Sequence, residues 1–183
     1  MDFKLVLEKL LTAFEKECIR YALMGGFALG LWGVHRSTVD IDFLVNRDDL
    51  DKIHSIMSAL GYQCVHQTKN VTQYVSSLSI FGEIDFLHAF REASIGMLKR
   101  AEEKRIFGES LTIKVLKPED LIGLKVQAMS NDKSRWTSEL SDIERIMDLH
   151  KTDLDWSIIE EYFVLFGLEK MAKELRSKYC GPE

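Results

Sequence analysis

Proline is almost missing from this chain, which has 2 in 183 residues, and cysteine is scarce at 3. So little proline beside 11 glycines excludes collagen-like repetition, and 46% hydrophobic content excludes a disordered chain. Cys18, Cys64 and Cys180 are an odd number and stand far apart, without the paired spacing of a zinc site or a disulfide framework. A reducing cytoplasm is the expected compartment. Long apolar runs are lacking too. The longest uncharged stretch, Tyr21 to Val34 before His35, has 14 residues and four glycines, short of the roughly 20 needed to cross a bilayer. Glu8 and Lys9 fall where a signal peptide would be apolar, so no secretion signal and no membrane partner are expected. Basic residues are in deficit, 24 Lys+Arg against 29 Asp+Glu for a net charge of -5. Non-specific grip on a nucleic-acid backbone, which comes from clustered cations, is thereby disfavoured.

What remains is a globular chain long enough for one domain, or for one compact domain with a small appendage. Phe3, Val6, Leu7, Leu10, Leu11, Phe14 and Cys18 recur at helical spacing, which predicts an opening helix ending near Ile19. Tyr21 to Met24 reads as a short buried strand, Gly25-Gly26 as a turn, and Phe27 to Trp32 as the start of a helix. Val39, Ile41, Phe43 and Val45 alternate with Asp40, Asp42 and Leu44 in strand periodicity. Leu50, Ile53, Met57 and Leu60 form a helical stripe stopped by Gly61. Strands follow around 62–66, 72–80 and 83–87, with Phe81-Gly82 as the last turn. A helix over 92–102 and a strand over 111–116 complete an α/β part, and the mixed-charge run Lys99 to Arg105 reads as an exposed helix face. From Pro118, which suits a first helical turn, the pattern is helical only. The expected division is 1–117 for the α/β core and 118–183 for a helical region packing on it, with Gly181-Pro182 as the stop.

Asp40 and Asp42 are two apart on a strand, so both carboxylates project from one face while Ile41 and Phe43 pack on the other. Like charges that close need a basic side chain or a divalent cation between them, and hard oxygen ligands suit Mg²⁺. Arg36 and Thr38 lie just upstream. Asp85, on another strand, supplies a third carboxylate if the strands are adjacent; Glu83 shares its face. Gly25-Gly26, at a strand-to-helix turn, would let backbone N–H groups approach a phosphate. Phosphate at one wall and divalent ions on three carboxylates at the other is the apparatus of phosphoryl or nucleotidyl transfer.

Gly25-Gly26, 13 intervening residues, Asp40-Ile41-Asp42 and a later Asp85 together resemble the signature of the DNA polymerase β-like nucleotidyltransferase superfamily. Gly25 to Ala28 with Arg36 to Asp42 is most similar to the bacterial nucleotidyltransferases related to abortive-infection toxins. Pro118 to Leu121, Lys125 and Asp142-Ile143 also resemble that group's helical segment. The resemblance implies a mixed, curved sheet with helices on one face and a helical C-terminal region. It implies two Mg²⁺ on Asp40 and Asp42, with Mn²⁺ as an alternative ion, and Asp85 holding the catalytic ion and helping to deprotonate the acceptor hydroxyl. Gly25 and Gly26 would contact the NTP triphosphate, helped by Arg36, Thr38 and Lys125. Arg135 and Asp142 depart from the compact Arg-x-x-Asp pattern and receive no role.

The expected function is transfer of a nucleoside monophosphate from an NTP to a hydroxyl on tRNA, a protein or a small molecule such as an antibiotic, with a toxin–antitoxin pair and its cognate protein partner as one expected setting. The alternative is a low-turnover binding or regulatory module on the same fold. A glycosyltransferase with an Asp-x-Asp motif needs a larger nucleotide-sugar domain. His35 and His88 show no zinc spacing, and Cys64 and His66 alternate on one strand without further ligands. Trp156, Tyr162, Phe163 and Phe166, lacking interleaved cations, fit a helical core better than a base-stacking platform.

Overall fold

A computed structural model gives the fold of residues 1–180; the stop expected at Gly181-Pro182 lies outside the described residues. The class is mixed α/β, as the sequence implies, with a seven-stranded sheet and eight α-helices among the described residues. Helix α1 (Phe3–Lys16) is followed by strand β1 (Tyr21–Met24), helix α2 (Gly25–Leu31), strand β2 (Asp40–Asn46) and helix α3 (Leu50–Ala59). Strands β3 (Tyr62–Gln67), β4 (Val71–Ser76) and β5 (Glu83–Ala89) come next, then helix α4 (Glu92–Arg100) and strands β6 (Glu102–Ile106) and β7 (Leu111–Val115). Helices α5 (Pro118–Asn131), α6 (Trp136–His150), α7 (Trp156–Leu165) and α8 (Glu169–Cys180) end the fold. The chain forms two compact units, Met1–Ala28 with Arg36–Leu116, and Leu29–His35 with the chain from Lys117 on.

In the first unit the strand order is β3-β4-β5-β2-β1-β7-β6. β2 is central, antiparallel to β1 and parallel to β5, and β1 runs parallel to β7. The alternation read in β2 sorts its faces. Ile41, Phe43 and Val45 are buried on one side, where the Phe43 and Phe86 rings stack at 5.8 Å and Phe14 of α1 meets Phe43 edge-on at 5.6 Å. Edge-to-face and offset aromatic pairs of this kind add about 1 kcal/mol each beyond burial. Helix α1 stops at Lys16, three residues before its expected end, because Cys18 takes a left-handed backbone at φ 55°.

Three local readings need correction. Helix α4 ends at Arg100, and Glu102–Ile106 of the mixed-charge run is the edge strand β6, paired antiparallel with β7. Its Glu, Lys and Arg residues favour a helix in isolation, but ladder pairing wins, and charge along an edge discourages further strands from adding. Strand β4 covers Val71–Ser76 and stops well before Ile80, the chain turning through 77–82 into β5. Gly25-Gly26 is the first turn of α2 itself, with Gly25 at φ +68°.

The second unit rests on buried polar anchors as well as apolar stripes. Pro118 opens α5, whose Asp120 accepts a hydrogen bond from the Tyr162 hydroxyl at 2.6 Å, while Glu119 Oε1 accepts one from the Asp155 backbone N–H at 2.9 Å. Gly123 leaves room for the Tyr162 ring, since a Cβ there would lie 2.5 Å from it. Trp156, Tyr162 and Phe163 are buried, as expected of a helical core, with Ile143, Ile146 and Met147 of α6. The Leu29–His35 segment is tied in by His150, whose Nε2–H meets the Trp32 carbonyl oxygen at 2.8 Å with the two rings edge-on.

Candidate active site

Parallel pairing of β2 with β5 places Asp42 directly opposite Asp85, and Asp40 opposite Glu83. Because alternate residues share a face, the three aspartates stand together on the face opposite the Phe43 and Phe86 stack. Leu44 and Ala22, further along that face, are fully buried, whereas Asp40, Asp42 and Asp85 are part-exposed. The carboxylates therefore lie where the covered part of the face gives way to solvent.

Each acid is held from a different side. Thr38 Oγ1 donates to Asp40 Oδ1 at 2.7 Å. Gln73 on β4 donates from Nε2 to Asp85 Oδ2 at 2.9 Å, leaving Asp85 Oδ1 buried and without a hydrogen-bond partner. Gly25 carries Asp42 against its backbone, for a Cβ there would sit 1.8 Å from Asp42 Oδ2. The neighbouring Gly26 N–H hydrogen-bonds to the Asp42 carboxylate, and Thr38 occupies the space a Gly26 side chain would need. Both glycines are thus required by the packing of two site residues.

The Asp42 carboxyl is raised from 3.8 to about 7, by burial first and then by the charges of Asp40 and Asp85, against Arg36 and the Gly26 N–H. Asp85 is also raised, by burial first and by Asp40, against the Gln73 hydrogen bond and the charge of His66. Three carboxylates are thus crowded where water does not fully solvate them, which is the condition that a cation or a proton relieves.

The structure brings Gly25, Gly26, Arg36, Thr38, Asp40, Asp42 and Asp85 into one unit. Lys125 belongs to the other. Its ammonium donates to Glu139 Oε2 at 2.8 Å and to Asp142 Oδ2 at 2.7 Å, all three side chains being buried, and Arg135 pairs with the remaining oxygen of Glu139. Sequence reading missed Gln73 and Glu139. Gln73 is a polar residue on the Asp85 side of a strand whose alternate members Thr72 and Tyr74 are buried, and Glu139 sits four residues after Arg135, a spacing that could have marked an ion pair. Among the described residues, no group of three or more His, Cys, Asp or Glu side chains is arranged to hold a metal ion on its own.

Three solved structures resemble the fold. The solution structure of the antibiotic-resistance factor ANT(2'')-Ia matches with a TM-score of 0.67 at 18% identity, over 97% of this chain and 99% of that one. A crystal structure of ANT(2'')-Ia in complex with adenylyl-2''-tobramycin matches at 0.61 and 15%, over 96% and 97%. The lincosamide antibiotic adenylyltransferase LnuA, lincomycin-bound, matches at 0.55 and 15%, over 80% and 97%. At these identities the likeness shows the fold. No curated protein matches the sequence closely. Residues 3–176, nearly the whole chain, fit a family described as uncharacterised nucleotidyltransferases, and the protein belongs to that family.

Proposed function

We propose that this protein transfers a nucleoside monophosphate from an NTP to a hydroxyl group of a small molecule, with Asp40, Asp42 and Asp85 at the reacting centre. The observation that carries the reading is the β2–β5 register, which sets Asp42 beside Asp85 with Asp40 on the same face. The donor set suits Mg²⁺ in two respects: every side-chain ligand is a carboxylate oxygen, and the crowded acids Asp42 and Asp85 are both held above the ordinary carboxylate range, a condition that a divalent cation relieves. Mg²⁺ is commonly held by one or two carboxylates together with substrate phosphates and water, so a ligand set that the protein does not complete by itself fits this chemistry. Asp40 and Asp42 would hold two ions, with Asp85 sharing one. A divalent cation bound there supplies neutralisation of the charge that builds on the transferred phosphoryl group.

The chain's own groups do the rest. Asp85 Oδ1 takes the acceptor's proton as the acceptor oxygen bonds to the α-phosphorus, the bond from that phosphorus to the bridging oxygen breaks, and pyrophosphate leaves with the electron pair. Thr38 orients Asp40, Arg36 offsets charge at Asp42, and Gly25-Gly26 fixes Asp42 against the backbone. Lys125 stands outside this set because its ammonium already meets two carboxylates.

The acceptor class is drawn from the structural neighbours, one seen with adenylyl-2''-tobramycin and one with lincomycin. The test is transfer of label from each α-³²P NTP with Mg²⁺ onto tobramycin, lincomycin, total tRNA or a protein extract. Label on a small molecule is the expected result. Label on tRNA or protein would replace the acceptor and favour the toxin-related reading; no transfer from any NTP would leave a binding module.

A further inference from the structure

The row of side chains through Asp42 and Asp85 continues past them. Asp85 is paired with Gln73 across β4–β5, and Gln73 with His66 across β3–β4, so Met24, Asp42, Asp85, Gln73 and His66 lie in line across five strands. His66 reaches that line only through an irregularity. Cys64 pairs with Tyr74, a core-side residue, and strict alternation would return His66 to the core side as well. The register shifts between Cys64 and His66, leaving Val65 as the extra residue, and the shift turns His66 onto the carboxylate face. Bulges of this kind occur next to active sites, where they re-aim a side chain. The charge of His66 is felt at Asp85, so the two lie within electrostatic reach of each other.

Gln73 does a definite thing to Asp85. Its amide takes Oδ2, and Oδ1 is left as the buried oxygen with no partner. A carboxylate pinned by one oxygen presents the other in a fixed direction, which is what a proton acceptor requires.

We propose that Gln73 is a positioning residue that fixes Asp85 for proton removal, in an acceptor-side row that the Val65 bulge extends to His66. The inference rests on the nucleotidyl-transfer reading above. With water as the acceptor, the water oxygen bonds to the α-phosphorus, the bond to the bridging oxygen breaks, pyrophosphate takes the electron pair, and the proton goes to Asp85.

The experiment uses the full chain with MgCl₂, the NTP that binds most tightly and its α,β-methylene analogue. Gln73→Met removes the donor at similar volume, and Gln73→Glu replaces it with an acceptor; both are checked by melting. Each is expected to bind the analogue within about twofold of wild type while kcat for pyrophosphate release falls roughly 10- to 100-fold at unchanged KM for the NTP, with whichever of water, tobramycin or lincomycin is the fastest acceptor. In parallel, Asp85→Asn is expected to move the His66 Cε1–H NMR signal and to leave that of His54, which faces Tyr74, in place. Wild-type kcat in both Gln73 variants, equal loss of analogue binding, or an unmoved His66 signal would overturn this inference alone. A wild type that binds no NTP, or binds one and releases no pyrophosphate, would overturn the transfer reading and this inference with it.

Discussion

Asp42→Asn is expected to stabilise the metal-free protein above neutral pH while abolishing transfer. Folding moves the Asp42 carboxyl from 3.8 to about 7, and each unit of difference is worth about 1.4 kcal/mol, so keeping it ionised above pH 7 costs about 4 kcal/mol. Asp85 is raised as well, so part of that penalty is shared between the two groups, and about half of it, roughly 2 kcal/mol, is the gain to expect from one substitution. Asparagine keeps an oxygen for the Gly26 N–H and adds an NH₂ that faces the other acids, so nothing in the packing offsets the gain.

The sign of the pH dependence follows from proton counting. Between pH 3.8 and about 7 the folded chain holds a proton on Asp42 that the unfolded chain has lost, so wild-type stability declines as pH rises through that window. The Asn variant lacks this slope. The two proteins should therefore converge in melting temperature as pH falls towards 3.8 and separate by roughly 4–8 °C at pH 8 in EDTA, and millimolar Mg²⁺ should narrow the gap by stabilising the wild type. Far-UV circular dichroism or calorimetry is the right probe. Trp32, Trp136 and Trp156 all lie in the second unit, so tryptophan fluorescence would watch the wrong part of the chain. A difference that is constant from pH 5 to 8, or a variant less stable at pH 8, would refute the crowding argument.

Gly25→Ala should lower stability by about 2 kcal/mol or more, since alanine at φ +68° costs about 1–2 kcal/mol before its Cβ displaces Asp42, and transfer should fall with it; a variant with normal melting and kcat would count against the Gly25–Asp42 contact. Lys125→Met removes the ammonium that Glu139 and Asp142 share, with Arg135 still meeting Glu139, and should destabilise the second unit by about 3–5 kcal/mol, read by tryptophan fluorescence in urea. Adding Glu139→Gln and Asp142→Asn to that variant should restore most of the loss. A raised KM for the NTP at unchanged stability would instead assign Lys125 to the nucleotide.

The sequence made the centre of the candidate site legible because one strand carries it. Alternation in Asp40 to Val45 reports which side chains share a face, and the hydrophobic half of that strand is the same half that the aromatic core requires. Glycine was legible as a break, yet its reason was not, since the 1.8 Å approach of Asp42 is a tertiary fact. The misread segment, Glu102–Ile106, shows the opposite case. Its charges carry helix propensity, whereas the cue that favoured a hairpin was a single glycine, Gly108, flanked by Phe107 and Glu109, which themselves adopt positive φ.

Register is where local pattern stops informing. That Asp42 faces Asp85 depends on how two strands 43 residues apart are aligned, and a slip of one residue would send Asp85 to the core and bring Ile84 to the carboxylates. The packing of Ile84 and Phe86 against Ile41 and Phe43 fixes that alignment, so the apolar face sets the geometry of the charged one. The same reasoning accounts for His66. On an edge strand whose residues beyond Tyr62 are exposed, burial does not specify register, and an extra residue can be inserted at little cost. The position that ends up in line with the carboxylates is therefore set by the bulge, and catalytic need can select it there without disturbing the core.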